Sequence, residues 1–266
     1  MTRVAIAGAA GRMGRSILKA VADNSSLQIT HAYEQIKHPL LGTEVGSLVG
    51  IDTPGLILSD SIESGNFDVL IDFTLPNSTM SNLEFCHAND RKIVIGTTGL
   101  DTAQKVKIKN LSEDIGIVMS PNMSIGVNLT LKLIELACRT LGDSVDIEIL
   151  EAHHRHKIDA PSGTAIKMGE VVADTLQRNL KTDGVYSRNG QIGERKDKSI
   201  GFSTIRAADV VGEHSIWFAG LGERVEISHK ATSRDIYAQG SVRAALWLAD
   251  QSNGLYDMQD VLGLSF

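Results

Sequence analysis

At 266 residues, with 42% hydrophobic and 22% charged side chains, the chain has material for one large or two modest packed domains, and not the composition of a disordered one. Its formal net charge of −6, with acids and bases interspersed, argues against a nucleic-acid partner, which needs a sustained basic surface; a local cationic pocket for a small anion remains compatible. Cys86 and Cys138 lie far apart in apolar surroundings and outside any CxxC pair, which points away from a zinc ribbon or disulfide framework. No apolar run reaches the length of a membrane span, and the apolar start is too brief for a secretory leader. A cytoplasmic protein with no membrane partner is expected.

In chain order, residues 4–8, 27–33, 56–58, 67–74, 91–98 and 115–122 read as strands. Most are nearly continuous in apolar residues, as strands buried on both faces are. Residues 12–23, 77–89 and 101–113 read as helices between them, with Asp101 and Gln104 spaced as a capping pair. Strand and helix in alternation predict an α/β, doubly wound parallel sheet of Rossmann type. The pattern changes near residue 123. A long helix is expected over 124–142, ended by Gly142, then a half-exposed strand over 145–154 with Val145, Ile147 and Ile149 in alternation. Helix over 161–180, strands within 201–230 and helix over 241–251 follow. The polar stretch 187–199 reads as a long mobile loop. The second half therefore predicts a smaller α+β domain with a mixed or antiparallel sheet.

Directly after the first strand, "AGAAGRMG" places Gly8, Gly11 and Gly14 at the entry to a helix. The spacing is GxxGxxG, a variant of the commoner GxGxxG fingerprint. Glycine there lets the backbone approach a pyrophosphate, whose charge sits among the free N–H groups of the helix start. A tight structural turn is the plain alternative. The second strand runs into Glu34, where an acid can meet the adenine ribose hydroxyls, or can simply be a solvated acid at a strand end. The later strand ends carry "GTTG" (96–99) and "SPNM" (120–123). Both fit the rule that ligands bind at the carboxyl edge of a parallel sheet, although both also mark ordinary turns.

The densest chemistry is "EAHHRHKIDAPSGT", residues 151–164. As strand or as helical turn, the spacing puts His153 near Lys157. Histidine titrates near neutrality and a lysine among other cations becomes a usable acid, so the pair suits proton donation to an anionic substrate. Past Pro161, the residues Ser162, Gly163 and Thr164 open a helix whose N–H groups can hold a carboxylate. A metal site is the rival reading, but Arg155 and Lys157 among the ligands would repel a divalent cation. A solvated basic strand end is the other. His214 and His229, isolated within strands, read as structural.

"EAHHRHKIDAPSGTA" closely resembles the signature of the dihydrodipicolinate reductase family, also called 4-hydroxy-tetrahydrodipicolinate reductases. "VAIAGAAGRMGR", "DVLIDFTLP", "IVIGTTG", "IGFSTIRAADVVGEH" and "GLYDMQDVLGL" look like family segments in the same order. The resemblance spans nearly the whole chain. It implies NAD(P)H-dependent reduction of a small cyclic dicarboxylate, 4-hydroxy-tetrahydrodipicolinate, in lysine and diaminopimelate biosynthesis. By that resemblance His153 is a proton donor and acceptor and Lys157 a proton donor, while His154, Gly163 and Thr164 hold substrate carboxylate. Cofactor contacts would come from Gly8, Ala9, Ala10, Gly11, Arg12, Met13, Glu34, Gly96, Thr97, Thr98, Ser120, Pro121, Asn122 and Met123, with no metal. The family pattern also implies a homotetramer joined through sheets of the second domain. It assigns residues 1–124 plus 234–266 to the dinucleotide-binding domain, and 125–233 to the substrate-binding and oligomerisation domain. Two departures concern the cofactor. Gln35 stands where many relatives carry arginine, which tilts the expectation from NADPH toward NADH, although Lys37 and Arg12 could still answer a 2′-phosphate. Met123 stands where some members have an aromatic ring. Two rivals remain: a reductase of another amino-acid precursor, and a non-catalytic dinucleotide sensor. Arg155 and His156 receive no role.

Overall fold

The computed structural model describes residues 1–63 and 65–264. The chain divides into two compact units, Met1–Ile125 with Asp235–Phe266, and Gly126–Arg234; the last two residues of the predicted tail, Ser265 and Phe266, lie outside the described residues. The first unit opens with β1 (Thr2–Ala7), α1 (Arg12–Ala22), β2 (Leu27–Tyr33), β3 (Val69–Asp72), α2 (Pro76–Ala88), β4 (Lys92–Ile95), α3 (Thr102–Leu111) and β5 (Gly116–Met119). Helix α4 (Ile125–Leu141) leads into β6 (Asp146–His153), α5 (Gly163–Thr175), α6 (Leu180–Asp183), β7 (Gly184–Val185), β8 (Ile200–Arg206), β9 (Gly212–Ala219) and β10 (Arg224–Ala231). The chain then returns to the first unit with α7 (Asp235–Ala249), β11 (Gly254–Tyr256) and α8 (Met258–Val261).

The first sheet has six strands in the order β11-β5-β4-β3-β1-β2, with all neighbours parallel. Its strands send alternate side chains to opposite faces, and the core divides accordingly. Val4, Ile6, Ile71, Val94 and Val118 pack on one face with Ile17, Leu18 and Val21 of α1 and Val242, Ala245 and Leu248 of α7. Ala5, Ala7, Leu70, Ile93, Ile95 and Ile117 pack on the other with Leu83 and Cys86 of α2 and Ile108 of α3. Helices on both faces make this a doubly wound sheet. Because β2 and β3 flank β1 on opposite sides, strand order reverses at the carboxyl end of β1, where ligands of such sheets bind.

The second sheet runs β10-β9-β6-β8-β7 and is mixed: β6 is parallel to β8 and antiparallel to β9. Its inward residues Ile147, Ile149, Ile200, Phe202, Ile216 and Phe218 pack under Ile134 and Cys138 of α4 and Ala165, Met168 and Val172 of α5. The opposite face carries Leu150, Ala152, Ser215 and Trp217, which are only partly buried. The predicted alternation along β6 is seen residue by residue, from exposed Asp146 through partly buried Glu148, Leu150 and Ala152, with buried residues between them up to His153.

Two expectations need correction. Residues 56–58 form no strand; Ile57 and Ser59 make only isolated bridges, to Glu44 and Tyr33, while Leu58 plugs the core beside α1. An apolar triplet suffices to bury one side chain but is too short for a ladder. The stretch 187–199 has no regular structure, as expected of a loop, and two of its arginines reach back to β6. Arg188 donates twice to Glu148 at 2.8 Å, and Arg195 reaches Glu148, Asp146 and the carbonyls of Ile147 and Ser199. The last long helix starts at Asp235, earlier than 241. Gly240 interrupts the helical signal because a side chain there would collide with the Met123 carbonyl, so the glycine serves close packing.

Candidate active site

Around the carboxyl end of β1, Gly8 turns the chain with φ +64, and a Cβ there would lie 3.1 Å from Thr74 Cγ2, just beyond β3. Gly14 lets α1 seat on the loop, because any side chain would strike the carbonyl of Gly8 and the backbone of Ala9. Ala9 and Ala10 are buried, Gly11 and Arg12 exposed, and Met13 half-buried. Gly11 is the N-cap of α1 and supplies no side-chain acceptor, so no capping side chain occupies the helix start. The Ala10 N–H donates to Glu34 Oε1 at 3.2 Å, and the Gln35 N–H to Glu34 Oε2 at 3.1 Å. The acid at the end of β2 is thus held against the glycine loop, beside Gly8.

The next strand ends are ordered by a residue not singled out from the sequence. Asp72 closes β3 fully buried and accepts from the Thr74 N–H (2.8 Å), the Thr74 hydroxyl (2.7 Å), the Thr97 hydroxyl (3.4 Å) and the Asn82 amide (2.8 Å). Thr97 also pairs with Thr79 at 2.8 Å, so its hydroxyl is turned into this network, whereas Thr98 is exposed. Gly96 is a steric necessity: a Cβ would enter the ring of Phe73. After β5, Ser120 donates to the Asn122 carbonyl at 2.9 Å, and Asn122 Oδ1 accepts from the Ser124 N–H, fixing a turn from which Pro121 projects. Met123 is 1% exposed and packed in the core. Its side chain presents no face to a ring, and only its backbone belongs to the strand-end turn. A free helix start, a glycine loop, an acid beside it and small residues along the sheet edge fit a dinucleotide.

In the second unit the strand ends at His153, and residues 154–157 form a turn closed by the Lys157 N–H on the His154 carbonyl. The cluster is therefore neither of the two regular structures considered for it. Glu151, 2% exposed on the inward face of β6, organises it. Its Oε2 accepts from His153 Nδ1 at 2.6 Å and Arg206 Nη1 at 2.8 Å; its Oε1 accepts from Arg206 Nη2 at 2.8 Å and the Ser162 N–H at 3.0 Å. Burial alone would raise the Glu151 carboxyl, but these donors hold it below the usual carboxylate range.

Arg206 also donates to the Asp159 carbonyl at 2.6 Å, and the Asp159 carboxylate meets Lys157 Nζ at 2.8 Å. His153 stands edge-on to His214, ring centres 5.0 Å apart, and His214 Nε2 meets the Ser162 hydroxyl at 2.9 Å. Burial, then the charge of His153, pushes His214 down to about 4, so it is neutral near pH 7. Burial followed by the charges of Arg234, His153, His156 and Lys157 lowers His154, which marks it as the ring among the gathered cations. Ser162 caps α5 through the Ala165 N–H, and Gly163 and Thr164 begin that helix. A Cβ on Gly163 would meet nothing within 4 Å. Neither backbone strain nor packing among the described residues asks for that glycine. Arg155 and His156 are exposed, and Arg155 contributes its N–H to the Ala208 carbonyl.

Two family models together match nearly the whole chain: dihydrodipicolinate reductase, N-terminus, over residues 2–123, and dihydrodipicolinate reductase, C-terminus, over residues 126–262. The chain belongs to the dihydrodipicolinate reductase family. It is an NAD(P)H-dependent oxidoreductase that reduces 4-hydroxy-tetrahydrodipicolinate to tetrahydrodipicolinate in lysine and diaminopimelate biosynthesis. Among solved structures it is similar to a dipicolinate-bound dihydrodipicolinate reductase from Paenisporosarcina sp. TG-14, at 25% identity and TM-score 0.79, with 98% of each chain covered. An amine dehydrogenase from Mycobacterium smegmatis shares the fold at 11% identity and TM-score 0.61, with 96% of this chain and 94% of that one covered. So does a probable dehydrogenase from Thermotoga maritima, at 11% identity and TM-score 0.64, with 97% and 92% covered. The C-terminal family model runs on to residue 262, although residues from Asp235 onward fold with the first unit.

Glu151, Arg206 and Asp159 escaped the sequence reading. A signal for Glu151 existed: it is a charged residue at an inward position of an alternating strand, in step with Ile147 and Ile149. Arg206 had none nearby, because only the β6–β8 register, which pairs His153 with Arg206, brings it there.

Proposed function

We propose that the first unit binds the pyridine nucleotide, and that the second holds the dicarboxylate and handles the protons of its reduction. The overall change takes up one hydride and one proton and releases one water. Bound nicotinamide is the source of the hydride. His153 and Lys157 take and give the protons at the ring and at the departing hydroxyl, and the surrounding cations offset the negative charge that develops. Substrate carboxylate is held by His154 and by the Gly163–Thr164 helix start. The observation that carries this reading is Gly163. A helix position left as glycine, with open space before it and no internal demand, is explained by a ligand approaching the backbone. The Paenisporosarcina relative is dipicolinate-bound, which supports a small cyclic dicarboxylate as the substrate class.

For the cofactor, the fixed Glu34 carboxylate favours NADH, because it accepts ribose hydroxyls and repels a 2′-phosphate, and Gln35 adds no charge to offset it. The cations that could answer a phosphate, Arg12 and Lys37, are both exposed. Gly8 to Met13, Gly96 to Thr98 and Ser120 to Met123 supply the remaining contacts, the buried ones through backbone. A homotetramer is supported by the face of the second sheet bearing Leu150, Ala152 and Trp217, on which, among the described residues, no helix of its own unit packs. A cytoplasmic setting agrees with two buried free thiols.

The test is oxidation of NADH and of NADPH by the purified chain with enzymatically generated substrate, beside Lys157→Ala. Turnover with NADH preferred, and a kcat lower by about 100-fold in the variant, is expected. Equal kcat in the two proteins removes Lys157 from the chemistry, and an NADPH preference removes the role given to Glu34 and Gln35.

A further inference from the structure

The buried Glu151–Arg206 pair is more than a staple between β6 and β8. We propose that it is the positioning element of the proton-transfer site, fixing the tautomer of His153 and anchoring the loop that carries Lys157. The inference rests on the roles given above to those two residues.

Each Glu151 oxygen accepts two hydrogen bonds, which uses the acceptor capacity of an ionised carboxylate. An ionised carboxylate can only accept, so the 2.6 Å contact requires a proton on His153 Nδ1. Neutral His153 then carries its lone pair on Nε2, and Nε2 is the nitrogen able to exchange protons with substrate. When Nε2 takes up a proton, the imidazolium forms beside a carboxylate already in place, with no reorganisation needed. The chain also keeps room around that nitrogen. Gly212 on β9 has ordinary backbone angles, yet a Cβ there would lie 3.1 Å from His153 Nε2.

Arg206 links the second half of the site. Its fork holds Glu151, and the same Nη2 that meets Oε1 also donates to the Asp159 carbonyl, while the Asp159 carboxylate holds Lys157 Nζ. One guanidinium thus bridges the supports of both proton-handling residues. The other ionisable groups around His153 are His154, Lys157 and Asp159 on its own turn and His214 on β9, with His229 opposite His214 on β10. His214 is neutral near pH 7, so Glu151 is the anion in direct contact with the imidazole.

A purely structural pair would lower stability when broken but leave the tautomer and the pH dependence of turnover alone. Glutamine at 151 discriminates. Each carboxylate oxygen faces a guanidinium N–H, so either orientation of the amide sets NH2 against a donor. The orientation that turns NH2 toward His153 asks Nδ1 to accept and moves the proton to Nε2.

The experiment pairs 15N NMR of histidine-labelled protein with kinetics of Glu151→Gln, Arg206→Lys and His153→Gln, with cofactor binding as the check of folding. In the unaltered protein, neutral His153 should show protonated Nδ1 and bare Nε2. Glu151→Gln should lower kcat by about 100-fold or more with KM within a few-fold, and move the high-pH limb of kcat to lower pH. Arg206→Lys, which keeps the charge but not the fork, should fall between. A wild-type His153 with its proton on Nε2 overturns the proposal whether or not any variant folds. So does a folded Glu151→Gln with unchanged kcat and pH profile when His153→Gln is inactive. If His153→Gln itself turns over normally, the reading of His153 fails, and the positioning role fails with it.

Discussion

Two buried carboxylates, one in each unit, are satisfied in opposite ways. Asp72, at the end of β3, is surrounded by neutral donors: two threonine hydroxyls, an amide side chain and a backbone N–H. Glu151, near the end of β6, is surrounded by groups that carry or can carry charge, a guanidinium and an imidazole, with one backbone N–H. A ring of hydroxyls holds the Rossmann-type crest in shape and asks no proton to move. A carboxylate balanced by arginine and histidine keeps a charge poised against a ring that changes charge. The first arrangement suits a platform for a cofactor, the second a site of proton exchange.

The comparison breaks most visibly at Arg206. Arg206→Met would leave Glu151 buried with its charge unanswered, and a loss of about 3 kcal/mol is expected, the low end for broken buried pairs because the guanidinium is partly exposed. Urea unfolding checks it. Acid is the next largest effect. His214 binds a proton below about pH 6.5 when unfolded but only below about 4 when folded, so the unfolded chain holds more protons across that window. Stability contributed there is whole above pH 6.5 and is lost as pH falls toward 4. Glu151, whose folded carboxyl is held low, adds a further loss where it finally protonates. His214→Gln should flatten the upper part of the decline, by a few kcal/mol in total.

Asp72→Asn should be mild, about 1 kcal/mol, because Asn82 can flip its amide to face the new NH2 whereas Arg206 has no acceptor to offer Glu151→Gln. Glu151→Gln should therefore destabilise more, a difference that thermal unfolding reads directly. The smallest stability effect belongs to Gly163→Ala, within a few tenths of a kcal/mol and in the stabilising direction, since the site has room and alanine favours helix. Its KM for the dicarboxylate should rise nonetheless. A Gly163→Ala that loses stability would return that glycine to the fold.

The fold was legible where burial is regular. Continuous apolar runs gave β1, β3, β4 and β5, strict alternation gave β6, and the Asp101–Gln104 pair is a capping box at the head of α3. Residues 56–58 misled because three apolar residues serve a plug as well as a strand. The early start of α7 was hidden by Gly240, whose purpose lies across the fold at Met123. Of the site, the glycine loop, Glu34 and the histidine–lysine stretch could be read locally, since their chemistry is written in consecutive residues. Arg206 could not, because its meaning depends on strand register between segments more than fifty positions apart.

The most direct measurement is kcat for Glu151→Gln and Asp72→Asn, side by side, with saturating NADH and substrate. A fall of about 100-fold or more for Glu151→Gln against a few-fold change for Asp72→Asn is predicted. Equal losses in the two variants would contradict the division of labour between these carboxylates.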